Sequence, residues 1–556
     1  MAPSGTALSP LPWLDRGGIA GILIVSALAA GLFLYRAGAM PLTDPDEGRY
    51  AEISRQMAID GDWLVPQLFG QPYLEKPPLL YWSTATAFRA FGPSEIAARL
   101  TPAVAATLGV FLVGLFTRRY RSSSAGNLAA IVLASSAFYI VLARTVLVDM
   151  LFAVAISGTL FSFFAYREAA GTRLVPALLF WLFLALATLS KGPAALVICA
   201  VVIAVDALLE GSWAVLFTPR LVASAPLYLL IALPWFALVQ HRYPGFLGFY
   251  LWKEHLHRAA GSEHAEPIYW FIPWVVGGLF PWTPFAAAAA SRWWQVWRER
   301  SLEGRIVRFS VVWAASVFLL FSLARGKLAT YVLPMFPPLA VLLCEFLDRM
   351  LRSQASGKAI ERSFVVVGAL LLLGAVGVAV TASIVPVDLP RAGLALVLLP
   401  CFCGGTAILL WRRAATWKPL SAVVLVSVLL YLGLAEAAPE ISRWVTARPL
   451  IDLVSKQIGP KDSYALFGKY LPSAAFYLER PPLLIGTRPE LRFGRSLVAT
   501  QTNIVVDLHE LAERTAGGRL YVFTDNRPKR ERELRAALGD VRLVARNYVA
   551  AVWMRP

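Results

Sequence analysis

A chain of 556 residues with 58% hydrophobic and 16% charged side chains, and a mean hydropathy of +0.61, has more apolar surface than a soluble core of this size can bury. A water-soluble globular protein is excluded, and lipid must be the solvent. The formal charge of +17 sits mainly in short Lys and Arg connectors between apolar runs and no nucleic-acid-binding motif accompanies it, so the positive-inside rule accounts for it and no nucleic-acid partner is expected.

The first apolar run, Gly17 to Tyr35, is long enough to span a bilayer; Ala37-Gly38-Ala39 after it looks like a small-residue cleavage site, but the run exceeds a usual signal-peptide core and is read as a retained anchor. Further windows that can cross a hydrocarbon core of about 30 Å occur near Ala97–Phe116, Asn127–Ala143, Leu147–Tyr166, Leu174–Leu189, Pro193–Leu209, Leu221–Val239, Tyr269–Ala290, Ile306–Leu323, Tyr331–Phe346, Phe364–Val385, Ala392–Leu410 and Leu420–Leu434. They predict an α-helical polytopic membrane protein with about thirteen transmembrane helices. Cys199, Cys344, Cys401 and Cys403 fall inside these runs, as packing residues rather than disulfides or metal ligands.

The connectors alternate in charge. Arg118, Arg119 and Arg121, then Arg167 and Arg173, Arg292 through Arg308, Arg349 through Arg362, and Arg412, Arg413 and Lys418 fall on one side, which the positive-inside rule makes cytoplasmic. The other side receives segment 36–96, the turns at Arg144 and Lys191, loop 241–268, the turn Arg325–Lys327 and everything after Leu434. Residues 1–440 are therefore expected to form the transmembrane domain, with external loops 36–96 and 241–268. From Ser442 the composition changes to short alternating strands and a charged helical pattern at Lys529–Leu538, so 441–556 is expected to be a small soluble α/β domain on that outer face.

Ionisable groups collect on the outer face. Thr43-Asp44-Pro45-Asp46-Glu47 reads as a helix start, with Asp44 as cap, Pro45 at the first helical position and acidic residues favoured by the dipole. Such a rigid end is also a place to hold one catalytic carboxylate. Glu75-Lys76-Pro77-Pro78 sets an acid and a base in a proline-stiffened turn, where neighbours in extended chain face different partners. Asp149 lies in an apolar run just after Arg144, and an ionisable group at membrane depth is paired, here with Arg144, or functional. Loop 241–268 gathers His241, His255, His257 and His264 with Glu254, Arg258, Glu263 and Glu266; imidazole with carboxylate suits a divalent metal, although no standard zinc spacing is present, and an interfacial hydrogen-bonded loop fits equally. Lys191, Arg325, Lys327 and Tyr331 put cations and a phenol outside, against the charge trend, either as snorkelling side chains or as holders of an anionic headgroup.

With these motifs placed, the chain resembles the GT-C membrane glycosyltransferases and their protein-O-mannosyltransferase-like branch, above all the bacterial transferases that add 4-amino-4-deoxy-L-arabinose to lipid A. The resemblance rests on Pro45-Asp46-Glu47 with Arg49-Tyr50-Ala51-Glu52-Ile53-Ser54, Gly61-Asp62-Trp63 with Val65-Pro66, Glu75-Lys76-Pro77, Glu254-His255 with Arg258, His264 with Pro267, and Lys327-Leu328 with Tyr331. It implies a GT-C fold, a sugar donor on undecaprenyl phosphate, a lipid A acceptor, and transfer on the periplasmic side of the bacterial inner membrane by a monomer. By position, Asp46 resembles the catalytic carboxylate and Asp149 its acidic partner; Glu75 and His255 resemble ligands of a divalent metal such as zinc; Lys76, Arg258 and Tyr331 resemble holders of the donor phosphate; and Glu47, His264 and Lys327 are further candidates. The same chemistry on a protein hydroxyl or another envelope glycan is the alternative. A transporter fits less well, because the charges lie at one surface and no repeat is visible.

Overall fold

The computed structural model describes residues 18–252, 265–353, 357–384, 391–414, 416–485, 491–497, 503–505, 507–515 and 517–556. Each of the thirteen predicted windows holds helix. In order these are α1 (Gly18–Leu34), α4 (Glu95–Tyr120), α5 (Ser123–Ser135), α6 (Val148–Glu168), α7 (Leu174–Lys191), α8 (Ala194–Glu210), α9 (Pro226–Arg242), α10 (Phe271–Gly278) with α11 (Thr283–Trp297), α12 (Leu302–Leu323), α13 (Phe336–Ser353), α14 (Lys358–Ile384), α15 (Gly393–Trp411) and α16 (Trp417–Val445). Helices α2 (Asp46–Asp60) and α3 (Leu79–Phe91) belong to the loop between α1 and α4.

Among the described residues, nine helical segments are long and apolar enough to cross a membrane, and the bent pair α10–α11, turned by 102°, makes up to a tenth; α1, α5 and α8 are shorter, at 17, 13 and 17 residues. Helix α6 lies at the centre, with 94% of its most apolar window inside the protein. Close helix approach depends on small residues: a Cβ on Gly126 of α5 would lie 2.7 Å from the Gly114 carbonyl oxygen of α4.

The basic connectors meet at one end of the bundle. Arg121 lies 3.5 Å from Glu303, Arg305 2.8 Å from Glu168, Arg308 2.5 Å from Glu210, and Arg412 3.3 Å from Glu361. The opposite end carries α2, α3, the β1–β2 hairpin (Gln67–Leu68 and Gln71–Pro72) and the C-terminal sheet. That sheet has the order β5-β4-β3-β6-β8-β7, built from β3 (Ser463–Phe467), β4 (Leu483–Ile485), β5 (Ile504–Val505), β6 (Leu520–Thr524), β7 (Arg542–Arg546) and β8 (Ala551–Arg555). Strands β5, β4, β3 and β6 are parallel, and β8 and β7 continue antiparallel.

The sheet and the first external loop share one apolar core, in which Leu42, Tyr50, Tyr73 and Phe88 pack with Leu450, Tyr464 and Phe476. Polar contacts frame it. The Arg448 guanidinium donates to Glu95 at 3.2 Å, the Leu42 N–H donates to the Tyr477 hydroxyl at 2.8 Å, and the Asn503 amide donates to the Phe69 carbonyl at 3.1 Å.

Asp44 belongs to this seam and does not cap α2. The helix starts at Asp46 behind Pro45 with no side-chain cap, because the Asp44 carboxylate is taken up by Ser473, whose N–H donates to Oδ1 at 2.8 Å and whose hydroxyl donates to Oδ2. Burial pushes the Asp44 carboxyl from 3.8 up to about 7, against the Ser473 donors and Lys469. The neutral form is thus favoured in the folded protein: its contribution is fully present below pH 3.8 and is lost as the pH rises through about 7. Between about pH 4 and about pH 8, thermal melting of the wild type should therefore fall relative to an Asp44→Asn variant. A gap between the two melting temperatures that does not change with pH would show that this carboxyl does not titrate at the seam.

Candidate functional site

Adjacent positions on a helix point about 100° apart, so the first turn of α2 sends its two acids in different directions. Glu47 turns inward. It accepts from Arg99 of α4 at 2.9 and 3.0 Å, from the Val146 N–H at 3.0 Å, and from the Thr43 N–H and hydroxyl at 3.1 and 2.8 Å. Burial pushes its carboxyl up, but the Arg99 guanidinium and these donors outweigh that and hold it below the ordinary value. Asp46 turns outward with 48% of its side chain exposed, and Arg49 donates to its Oδ1. Arg49 is itself buried, 5.1 Å from the Tyr50 ring centre and 5.7 Å from that of Tyr73.

The Tyr50 phenol is buried beside Arg49. Burial pushes it up to about 12; Arg49 and Lys76 pull it down, while Asp46 and Asp149 push it further up. Charges from three separate segments, Asp46, Lys76 and Asp149, therefore act on one neutral hydroxyl. Glu75 is buried behind this group and accepts from the Tyr73 hydroxyl at 3.1 Å.

Asp149 does not pair with Arg144. The Arg144 guanidinium caps α1, donating to the Phe33 carbonyl at 3.0 Å and to that of Tyr35, and lies 5.2 Å from the Tyr431 ring centre. The partner of Asp149 is Lys191 at the end of α7, with Nζ 2.5 Å from Oδ1. Lys191 also lies 4.2 Å from the Tyr331 ring centre, so Asp149, Lys191 and Tyr331 form one cluster. Just past it, a Cβ on Gly192, at φ +67°, would meet the buried Tyr250 hydroxyl at 2.0 Å; only a bare backbone fits between the cluster and that phenol. Lys327 serves the backbone, donating to the carbonyls of Glu266 at 2.7 Å and Ala324 at 2.6 Å.

His255, Arg258 and His264 lie outside the described residues. Among the described residues no group of three or more His, Cys, Asp or Glu is placed to hold a metal ion. Sequence reasoning puts Lys191 outside but does not link it to Asp149, and it does not single out the buried Tyr50 phenol. The link joins residues 42 positions apart on neighbouring helices and leaves no local pattern. The tyrosine, by contrast, sits inside the motif that carries the resemblance.

Comparison with known proteins places the chain among membrane proteins of similar sequence and fold. The dolichyl-phosphate-mannose-protein mannosyltransferase family matches residues 19–250. A relative from Edwardsiella ictaluri described as undecaprenyl phosphate-alpha-4-amino-4-deoxy-L-arabinose arabinosyl transferase is 31% identical over 62% of this chain and 62% of its own, and one of the same description from Aeromonas hydrophila is 32% identical over 54% of this chain and 55% of its own. The matched region thus spans less than two thirds of these relatives. In three dimensions the crystal structure of ArnT from Cupriavidus metallidurans bound to undecaprenyl phosphate superposes with a TM-score of 0.82 over 96% of this chain and 97% of the other, at 24% identity. The fold is therefore the GT-C architecture with a small C-terminal α/β domain.

The Asp149–Lys191 pair is buried, with side-chain exposures of 9% and 12%. Lys191→Met should cost about 3–5 kcal/mol in stability by leaving an uncompensated carboxylate, and a double variant with Asp149→Asn should recover much of that loss. Thermal unfolding of the detergent-solubilised proteins reads both; additive losses in the double variant would mean that the two groups do not act as a pair.

Proposed function

We propose that this protein is a membrane glycosyltransferase that moves 4-amino-4-deoxy-L-arabinose from undecaprenyl phosphate to a phosphate of lipid A on the periplasmic face of the bacterial inner membrane. The observation that carries the reading is the exposed Asp46, bridged to Arg49, together with the Asp149–Lys191–Tyr331 cluster, at the end of the bundle away from the basic connectors, in the fold of a protein solved with undecaprenyl phosphate. The physiological consequence is a less negative outer surface and resistance to cationic peptides such as polymyxin.

In the reaction an acceptor phosphate oxygen forms a bond to the anomeric carbon, while the bond from that carbon to the undecaprenyl phosphate oxygen breaks and the departing phosphate keeps the electron pair. Charge grows on the leaving group, so cations matter more than a proton donor. Lys76 fills that role, with Arg258 as a second cation and Tyr331 alongside it. Lys191, engaged with Asp149 and facing Tyr331, fixes that wall of the site as a neutral ion pair and leaves the donor phosphate to the other cations. An acceptor phosphate arrives ionised and needs no base. Asp46, exposed and bridged to Arg49, is accordingly suited to orient the sugar, a 4-ammonium group above all. A divalent cation held by Glu75 and His255, zinc among the candidates, completes this reading; it would offset the negative charge of the donor phosphate.

A second acceptor class is favoured by one observation, the match of residues 19–250 to protein mannosyltransferases. There the acceptor is a hydroxyl, and Asp46 would have to remove its proton.

The two readings separate in one experiment: mass spectrometry of lipid A from a strain lacking this protein, complemented with wild type or Asp46→Asn. The aminoarabinose mass increment should return with the wild type and stay absent with Asp46→Asn; lipid A that is the same with and without the protein would turn the search to protein or other glycan acceptors. With purified protein and donor in vitro, Lys76→Ala should lower kcat/KM for the donor by about 100-fold, as expected for loss of a charged contact to a leaving phosphate. An unchanged dependence on donor concentration would remove Lys76 from the phosphate site.

A further inference from the structure

A second charged cavity lies at the other end of the bundle. Helix α4, 26 residues long, begins at Glu95, in contact with Arg448 of the C-terminal domain, and ends at Tyr120, about 38 Å away at 1.5 Å per residue. There the α4–α5 turn, the start of α12 and the last turns of α13 enclose about 560 Å³. Its walls carry Arg121, Arg349 and Arg352 against Glu303, Glu345 and Asp348. A fourth guanidinium, Arg292, reaches Glu303 at 3.7 Å and Glu345 at 3.6 Å, so four arginines face these three carboxylates.

These groups pair loosely. Arg121 Nη1 is 3.5 Å from Glu303 Oε1, Arg349 Nη2 is 3.1 Å from Glu345 Oε1 but 3.8 Å from Glu303 Oε1, and Arg352 Nε is 3.1 Å from Asp348 Oδ2. Much hydrogen-bonding capacity is left over. Among the described residues, Nε and Nη2 of Arg121, Oε1 of Glu303 and Oε2 of Glu345 are buried atoms with no hydrogen-bond partner, although the Glu345 side chain is only 4% exposed. Donors and acceptors are thus left over together, and buried polar atoms of both kinds call for a ligand that brings both charges. A purely anionic group would satisfy Arg121 and repel Glu303 and Glu345; a lone cation would do the reverse. The cavity opens among the ends of apolar helices at the end where the basic connectors gather, which is where headgroups of the inner leaflet lie.

We propose that this cavity binds the zwitterionic phosphoethanolamine headgroup of a membrane phospholipid, with the phosphate on Arg121 and the ammonium between Glu303 and Glu345. The bound lipid ties together the ends of α4, α5, α12 and α13.

The test uses the full-length protein, delipidated in detergent and probed by native mass spectrometry with phosphatidylethanolamine, phosphatidylglycerol or free phosphoethanolamine. The wild type should retain one phosphatidylethanolamine in preference to phosphatidylglycerol by about threefold or more, the ratio set by partly screened ion pairs. Glu303→Gln with Glu345→Gln leaves four arginines facing one carboxylate and should reverse that preference; should the double variant not fold, Glu303→Gln alone should reduce it. Arg349→Gln, at a side chain 56% exposed, should weaken retention of both lipids without unfolding the protein. Equal retention of the two lipids by the wild type, or a preference that the glutamine variants leave unchanged, overturns the proposal. Retention of free phosphoethanolamine as strongly as of the lipid would support the headgroup chemistry and overturn the membrane as its source.

Discussion

A charge removed from water must be met by an opposite charge and by donors for every lone pair, and Glu47 meets that demand in full. Arg99, which grips its two oxygens, also donates to the carbonyls of Ala37 and Pro41, at 2.7 and 3.0 Å, so one guanidinium fastens the end of the first loop segment, the first turn of α2 and the α4 helix together. The Val146 N–H brings the start of α6 to the same carboxylate. The outward direction of Asp46 follows from this fixed neighbour, because a helix cannot bury position 47 against α4 and α6 and also turn position 46 the same way. The exposed acid is oriented by the buried one.

The two ends of the bundle handle charge differently. Around the outer site the charged groups are held in separate, close arrangements. Glu47 holds the structure, Asp149 meets Lys191, Lys327 serves backbone carbonyls, and Asp46 faces the open side. On the other face arginines outnumber their partners, and one carboxylate serves several guanidiniums, as Glu303 does for Arg121, Arg292 and Arg349. Tight single pairs fix geometry for chemistry, whereas diffuse clusters tolerate rearrangement and suit an interface with headgroups.

The positions of the helices are legible in the sequence because apolar runs of membrane length have no other stable use, and the grouping of Arg121, Arg305, Arg308 and Arg412 at one end follows from their place in alternate connectors. The outer site is legible as a set of segments but not as pairs. Proximity in the chain points Asp149 to Arg144, five residues away; the structure turns Arg144 to the free carbonyls at the end of α1 and brings in Lys191 from a neighbouring helix. Likewise Asp44 reads as a helix cap until Ser473, 429 positions later in the chain, takes both of its oxygens. Local rules assign a polar group to the nearest suitable partner, and in a folded membrane protein the nearest partner in space comes from another segment. Around Glu345 the pairs Glu345–Arg349 and Asp348–Arg352 stand at legible i,i+4 spacing, but the approach of Arg121 and Glu303 from other segments leaves no local pattern.

The docking of Ser473 onto Asp44 bears on how the protein is made. The segment that displays Asp46 leaves the ribosome before any helix from α3 onward, whereas the residue that takes up the carboxyl two positions before it follows every helix of the bundle. The first external loop therefore completes its packing only after the bundle that carries it has been made. A product stalled before Ser473 would hold all of its helices and yet leave that loop without its cover.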